Sequence, residues 1–303
     1  MPRVPESKDP LHPLAEVFGF PVTNNSPQAR RARKNRLCCY NNRSPNCTKV
    51  SVKRPLGVCS VYEKGQAVIT CPIRFRQDWL VAEDASAFFF PEGSQWTSLT
   101  EVRLKGADGA LAGNIDLVLV SYDDGGLLID FGALEIQSVY ISGNMRDPFE
   151  AYMSDPDNGA TFQWVGQPQY PRPDYLSSSR KRLAPQLLFK GGILNSWGKR
   201  MAVALHNDFF STLPELPEVS LSEAEIAWLV YKLRFDTETR RFMLERQKSV
   251  YTRFAPSLAT LTVPKAGLVT DFVAHLQHRL ERKLNNSPDV GPPRRSPFDG
   301  NSQ

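Results

Sequence analysis

Two carboxylates and an amide recur at strand spacing in the middle of this chain. Asp116 lies in the run Gly113-Asn-Ile-Asp-Leu-Val-Leu-Val, and Glu135 and Gln137 lie in Leu127-Leu-Ile-Asp-Phe-Gly-Ala-Leu-Glu-Ile-Gln. Asp124-Gly125 stands between these apolar runs, and Asp-Gly flanked by apolar strands signals a tight hairpin. With that pair as the turn, residue 123 faces 126 and Asp116 faces Ala133. Glu135 is then the diagonal neighbour of Asp116 on the same face, roughly 7–8 Å away at Cα. Gln137 shares the face because strand side chains alternate, while Ile115, Leu117, Leu119, Leu134 and Ile136 point the other way, into a core. Two like charges beside an apolar sheet are costly unless a cation joins them. A hard divalent ion such as Mg2+, which prefers oxygen ligands, resolves that conflict. Glu101, in Leu99-Thr-Glu-Val-Arg-Leu, adds a third carboxylate on the preceding segment. A metal held in this way can activate water, polarise a phosphate and stabilise a leaving oxygen, which is the chemistry of phosphodiester hydrolysis. The plain alternative, two solvated acids on an edge strand, fits poorly with such apolar neighbours.

A second group of chemistry-bearing residues precedes the hairpin. Cys38, Cys47, Cys59 and Cys71 fall in a 34-residue window spaced C-x8-C-x11-C-x11-C, with Cys39 as a fifth. Four thiolates can close a tetrahedral shell around zinc or iron, and such a site contributes folding energy to a segment too small for its own core. Asn41, Asn42, Pro45, Asn46, Gly57 and Pro72 around the cysteines are loop residues that let backbone curl around an ion. The spacing has no CxxC pair, so scattered buried thiols are the competing reading, and spacing alone does not choose between Cys38 and Cys39.

Basic residues cluster twice. Arg180, Lys181, Arg182 and Lys190 form the first candidate segment for DNA contact, and Arg30, Arg31, Arg33, Lys34 and Arg36 the second. Arg146, shortly after the Glu-x-Gln strand, is within reach of a phosphate. Guanine-rich sites favour arginines placed bidentate on O6 and N7. The net charge of +5 over 303 residues is mild, so the distribution of charge says more than its total. The histidines show no ligand or triad spacing. No apolar run approaches 18 residues and the start lacks an apolar leader core, so a cytoplasmic protein with reduced cysteines is expected.

The elements that must position these groups read as a mixture of strands and helices, an α/β core. Leu14 to Phe20 suggests a short amphipathic helix stopped by Pro21. Ser26-Pro27 reads as an N-cap with proline at the first helical position, opening a helix to about Arg36. Leu99 to Leu104, Asn114 to Ser121 and Leu127 to Tyr140 read as strands. A basic helix is expected from Ser179 to Phe189, ending before Gly191-Gly192. Trp228 to Leu233 and Arg241 to Phe254 form a late strand pair joined across Asp236-Thr-Glu. Leu268, Val269, Phe272, Val273, Leu276 and Leu280 make one helical stripe for core or dimer packing. The expected organisation is a disordered tail (1–12), helices with a cysteine metal subdomain (13–80), a catalytic core (81–284) and a second disordered tail (285–303).

At this point the residues resemble a known pattern. Asp followed by Glu-x-Lys on adjacent strands marks the PD-(D/E)XK nucleases, and the NotI-type restriction endonucleases carry Glu-x-Gln in that place. Gly132-Ala-Leu-Glu135-Ile-Gln137, with Asp116 and Glu101 upstream, is similar to that variant. So are Cys38-Cys39-Tyr40, Asn46-Cys47, Gly57-Val-Cys59 and Thr70-Cys71-Pro72, with Cys39 standing where the family has proline, so that Cys38 is the ligand. Ser142-Gly-Asn144 and Arg180-Lys-Arg-Leu-Ala-Pro185-Gln186 extend the likeness, which covers about residues 14 to 210. The resemblance implies a PD-(D/E)XK endonuclease core with an N-terminal four-cysteine subdomain. It implies a homodimeric, Mg2+-dependent type II restriction endonuclease of a prokaryotic cytoplasm, cutting double-stranded DNA at a GC-rich palindrome beside a cognate DNA methyltransferase. Glu101, Asp116 and Glu135 would hold Mg2+, Gln137 would orient the attacking water or phosphate, and Cys38, Cys47, Cys59 and Cys71 would hold structural iron or zinc. Lysine is absent from the third catalytic position. A non-catalytic DNA-binding protein of the same fold, or a nonspecific repair or defence nuclease, is the alternative.

Overall fold

Burial sorts the strands of this chain into a closed centre and an open edge. The computed structural model describes residues 12–286 apart from 43, 52, 162 and 265, so nearly all of the two expected tails lies outside the described residues. At the N-terminal side, β1 (Leu14–Val17), β2 (Phe20–Pro21), β3 (Val58–Glu63) and β4 (Gln66–Ile69) pair antiparallel in the order β2-β1-β3-β4. The helix expected over Leu14 to Phe20 is therefore a strand and a tight turn. Every residue of β1 is buried, so the segment has no polar face to turn to water, and Phe18 and Gly19 carry left-handed backbone at φ 51° and 82°. The next expectation holds. Helix α1 (Pro27–Asn35) opens at Ser26, whose hydroxyl accepts the Ala29 N–H at 3.3 Å.

Helix α2 (Leu80–Phe89) precedes the main hairpin strands β5 (Trp96–Lys105), β6 (Leu111–Tyr122) and β7 (Leu128–Gln137). Beyond them come β8 (Tyr140–Ser142), helix α3 (Arg146–Ser154), β9 (Arg172–Asp174), β10 (Met201–His206), β11 (Ile226–Asp236) and β12 (Arg241–Thr252). Six strands form a mixed sheet in the order β12-β11-β10-β7-β6-β5, with β10 parallel to both β7 and β11. The buried run of β10 matches its central, parallel position, where both faces are covered. β5, alternating half-buried and exposed, is the edge.

The two faces of the sheet bury different sets. Leu117, Leu119, Leu134, Ile136, Ala202, Ala204 and Leu229 pack with Val81, Ala85 and Phe88 of α2. On the other face Val118, Ala133, Val203, Leu205, Trp228 and Val230 join Leu183, Leu187 and Leu194 from a long helix over residues 175–196. Leu14, Val17, Phe18, Val58 and Val61 of the N-terminal sheet belong to that same cluster, so no division of the core falls at residue 80; contacts divide instead after Thr262. Buried Arg74 ties the N-terminal sheet to β12, meeting Glu16 at 3.1 Å and the Phe242 carbonyl at 2.7 Å.

The helix over 175–196 does not end before Gly191-Gly192, as its glycines suggested. It runs on through two wide-turn π segments, Ser179–Leu183 and Leu187–Gly191. Pro185 lacks the N–H that a regular ladder needs, and wide turns around it absorb the defect. A Cβ on Gly191 would stand 2.7 Å from the Phe254 ring, so the glycine permits close packing against the helix Phe254–Thr262. The second unit contains the helix Val269–Asn286, on which Val269, Phe272, Val273, Leu276 and Leu280 are exposed. Among the described residues, no helix is long and apolar enough to cross a membrane.

Candidate active site

The hairpin β6–β7 delivers the two central carboxylates to one place. Its loop is wider than the Asp124-Gly125 turn expected: Asp123 N–H donates to the Leu127 carbonyl, and the Asp123 carboxylate accepts the N–H groups of Gly125 and Leu127. A register shift between Ser121 and Tyr122 follows, and the strands pair Val118 with Ala133 and Leu117 with Leu134. Continued one step, this register sets Asp116 directly opposite Glu135 rather than diagonal to it. The displacement is two residues, an even number, so the predicted face survives. The Asp116 carboxylate accepts the backbone N–H of Ile136 at 2.8 Å, which binds it to the neighbouring strand.

Glu135 and Gln137 lie on the face covered by the long helix, beside Val203 and Leu205 of β10, and both are buried. Among the described residues, Gln137 Nε2 has no hydrogen-bond partner and no N–H donates to Glu135 Oε1, while the Glu135 and Asp116 carboxyls lie within hydrogen-bonding reach of each other. Burial first, and then the Asp116 charge, push the Glu135 carboxyl up to about 8, while Lys190 pulls it down. Asp116 is raised too, chiefly by burial and further by the charge of Glu101, with the Ile136 N–H and Lys190 opposing. A buried acid pair of this kind holds a proton between its members at neutral pH unless another cation replaces it.

Glu101 reaches the site from β5. The flanking pairs Thr100–Leu117 and Val102–Ile115 put it opposite Asp116. Its side chain is exposed and its backbone is left-handed at φ 55°, a conformation that costs a non-glycine residue about 1–3 kcal/mol and is kept mainly at functional positions.

Lys190 was grouped by sequence with the DNA-facing cluster, and the structure separates it from Arg180, Lys181 and Arg182. Those three are exposed, with the Arg182 guanidinium 5.4 Å from the centre of the Tyr140 ring. Lys190 is buried, and its ammonium donates to Glu135 Oε2 at 2.5 Å and to the Asn114 carbonyl at 2.8 Å. Its stem passes Gly113, where φ is 135° and a Cβ would meet Lys190 Cδ at 3.4 Å. The sequence signal for this placement was faint: a proline and two glycines inside an otherwise helical basic run.

The other basic candidates divide in the same manner. Arg146 is exposed at the start of α3 and bonds Glu150 at 3.3 Å. In α1, Arg33 is buried and donates to the Pro21 carbonyl, while Arg30 pairs with Asp157. The α1 run therefore has structural work in part.

Cys38, Cys47, Cys59 and Cys71 line one cavity of about 10 Å3, together with Phe18, Tyr40 and Lys49. Backbone bonds draw their loops inward: Cys38 N–H to Pro45, Cys47 N–H to Arg36, and Cys71 N–H to Cys59. Cys39 is exposed and lies off this cavity, its Sγ accepting from Arg241 at 3.1 Å. Burial pushes the Cys38 thiol up to about 12 and raises those of Cys47 and Cys59, so without an ion these stay protonated.

Among the described residues, no group of three or more His, Cys, Asp or Glu side chains is gathered tightly enough to hold a metal ion. The donor chemistry fits nonetheless at both places. Mg2+ takes one or two protein carboxylates and completes its shell with water and phosphate, and Asp116 and Glu135 are donors of that type. The four cysteines that line one small cavity are the donor type that a structural sulfur site would use.

Comparison with known proteins gives one assignment. The family model described as "Restriction endonuclease NotI" matches residues 17–244, most of the chain. No curated protein matches it.

Proposed function

Because the chain belongs to the NotI restriction endonuclease family, it is a type II restriction endonuclease, a site-specific deoxyribonuclease, and we propose that it hydrolyses double-stranded DNA at a GC-rich palindrome with Mg2+ held by Asp116 and Glu135. The observation that carries the metal reading is the pairing of those acids. Two carboxylates share one buried face and meet each other there, and among the described residues no N–H donates to Glu135 Oε1. Mg2+ at that point would polarise the phosphate and make the attacking water more acidic.

The residues of the chain do the rest. Asp116 is fixed by the Ile136 N–H and meets Glu135, so the two carboxylates stand where they could share an ion. Glu101, exposed on the edge strand, adds negative charge toward the solvent side of the site. Gln137 presents an amide with an unused N–H2 group, suited to orient the water or a phosphate oxygen. Arg180, Lys181, Arg182 and Arg146 meet the DNA backbone or base edges. At about 1.5 Å per residue, Arg182 stands roughly 12 Å along the helix from Lys190, so one helix spans both phosphate contact and hydrolysis.

The sheet and its covering helices serve as a PD-(D/E)XK core, and the four cysteines as a structural iron or zinc site that fixes the loops between α1 and β4. A palindrome is read most economically by a two-fold homodimer. The exposed apolar stripe of Val269–Asn286 supplies surface for such pairing. A DNA methyltransferase of matching specificity would protect the host genome.

Incubation of plasmid DNA with the protein and Mg2+ tests the activity. Discrete fragments with constant ends are expected. A smear would mean a nonspecific nuclease, and retained binding without cutting would mean a DNA-binding protein only.

A further inference from the structure

The Glu-x-Gln strand carries no cation, yet the site contains one. We infer that Lys190 is a catalytic residue of this nuclease, its ammonium contacting the reacting phosphate from the long helix rather than from the hairpin. This inference rests on the hydrolytic reading of Asp116 and Glu135 given above.

Three observations point there together. First, Lys190 is only 4% exposed, yet its ammonium ends on Glu135, at 2.5 Å. A lysine held as a DNA-backbone contact would reach outward, as its exposed helix neighbours Leu188 and Phe189 do. Second, the helix is built to bring it there. The inward-facing residues Ser178, Leu183, Leu187, Gly191 and Leu194 recur at an average of four residues, wider than the 3.6 of a regular helix. The π segment Leu187–Gly191 turns Lys190 to that inner face, and such segments occur often at functional sites. Third, the ammonium has a donor to spare. Of its three N–H groups, one meets Glu135 and one the Asn114 carbonyl, which leaves one without an acceptor among the described residues.

The Lys190 ammonium supplies positive charge beside the Asp116–Glu135 pair. With a divalent ion on that carboxylate, the Lys190 ammonium would be free to turn its charge to the nearest new anion, a nonbridging oxygen of the scissile phosphate. There it offsets the negative charge that grows as the water oxygen bonds to phosphorus and the P–O bond to the leaving group breaks. One proton of the water leaves to solvent and the departing oxygen takes one up, so the charge balance closes without a lysine base. Removing a single such stabilising donor costs about 10²–10³-fold in rate.

The test compares wild-type protein with Lys190→Met and Lys190→Gln. Three readings are taken: single-turnover cutting at saturating Mg2+, DNA affinity in Ca2+, and Mg2+ affinity without DNA by calorimetry. The expected result is cutting slowed by about 10²–10³-fold, DNA affinity within a few-fold of wild type, and Mg2+ bound at least as tightly once the competing ammonium is gone. Should Lys190→Met fail to fold, Lys190→Gln, which still donates to Glu135, carries the same expectation. Cutting within threefold of wild type would overturn the inference, as would a loss wholly explained by weaker DNA binding. If the wild-type protein leaves DNA intact with Mg2+, it is the hydrolytic reading beneath that fails.

Discussion

The Asp116 carboxylate accepts the backbone N–H of Ile136, the residue that follows Glu135, at 2.8 Å. That bond fastens the two acid-bearing strands at the point where the Asp116 and Glu135 carboxyls meet each other. A cation taking the place of the proton between them would be held by these two residues.

Substituting Glu135 tests that bridge. Glu135→Gln keeps the shape and removes a metal ligand, so Mg2+-dependent cutting is expected to fall by at least about 10³-fold while DNA affinity measured in Ca2+ changes little. Cutting at an undiminished rate would remove Glu135 from the mechanism.

The pH response of the metal-free protein follows from the same residue. Burial and Asp116 raise the Glu135 carboxyl from its ordinary 4.5 to about 8, so the fold holds that proton more tightly than the unfolded chain does. The stability this confers is complete below pH 4.5 and is lost as pH rises through 8. Melting curves at pH 5 and pH 8 should therefore separate for wild type, and the separation should shrink in Glu135→Gln. Added Mg2+ should stabilise the wild type most at the alkaline end.

The cysteine cavity makes a separate forecast. Cys59→Ser removes one of four thiols converging on a single cavity, and the variant is expected to lose bound iron or zinc and to be cleaved early by protease between residues 38 and 71. Cys39→Ser, whose sulfur faces Arg241 instead, should retain the metal. Equal metal content in wild type and Cys59→Ser would refute the structural site.

Buried Arg74 gives a stability prediction independent of metal. It meets Glu16 at 3.1 Å with both side chains wholly enclosed, and also holds Gln77 and the Phe242 carbonyl. Arg74→Met leaves the Glu16 charge unpaired and should cost about 3–5 kcal/mol. Replacing both partners with apolar residues should recover much of that loss, as chemical denaturation can measure.

Much of the site was legible because strand parity is robust. The Asp124-Gly125 turn and strand alternation put Asp116, Glu135 and Gln137 on one face, and the wider Asp123–Leu127 loop moves the register by two without changing that face. The helix start at Ser26-Pro27 was legible for a similarly local reason, since its cap needs only the N–H three residues on. Other features depend on tertiary contact. Leu14–Val17 is buried along its whole length between β2 and β3, the latter some forty residues away, and its apolar run carries no period to distinguish strand from helix. Lys190 read as one more charge on a basic helix because a regular period was assumed. The π segments that turn it inward answer to Pro185, to the Phe254 contact at Gly191 and to the acids beneath.

The claim on which the account turns is that one ion sits between Asp116 and Glu135. Crystals soaked in Mn2+, a Mg2+ substitute visible by anomalous scattering, would locate it directly. The account predicts a peak about 2.0–2.2 Å from a carboxylate oxygen of each residue. A peak elsewhere, or none at this pair with Mn2+ present and DNA cut in solution, would contradict it.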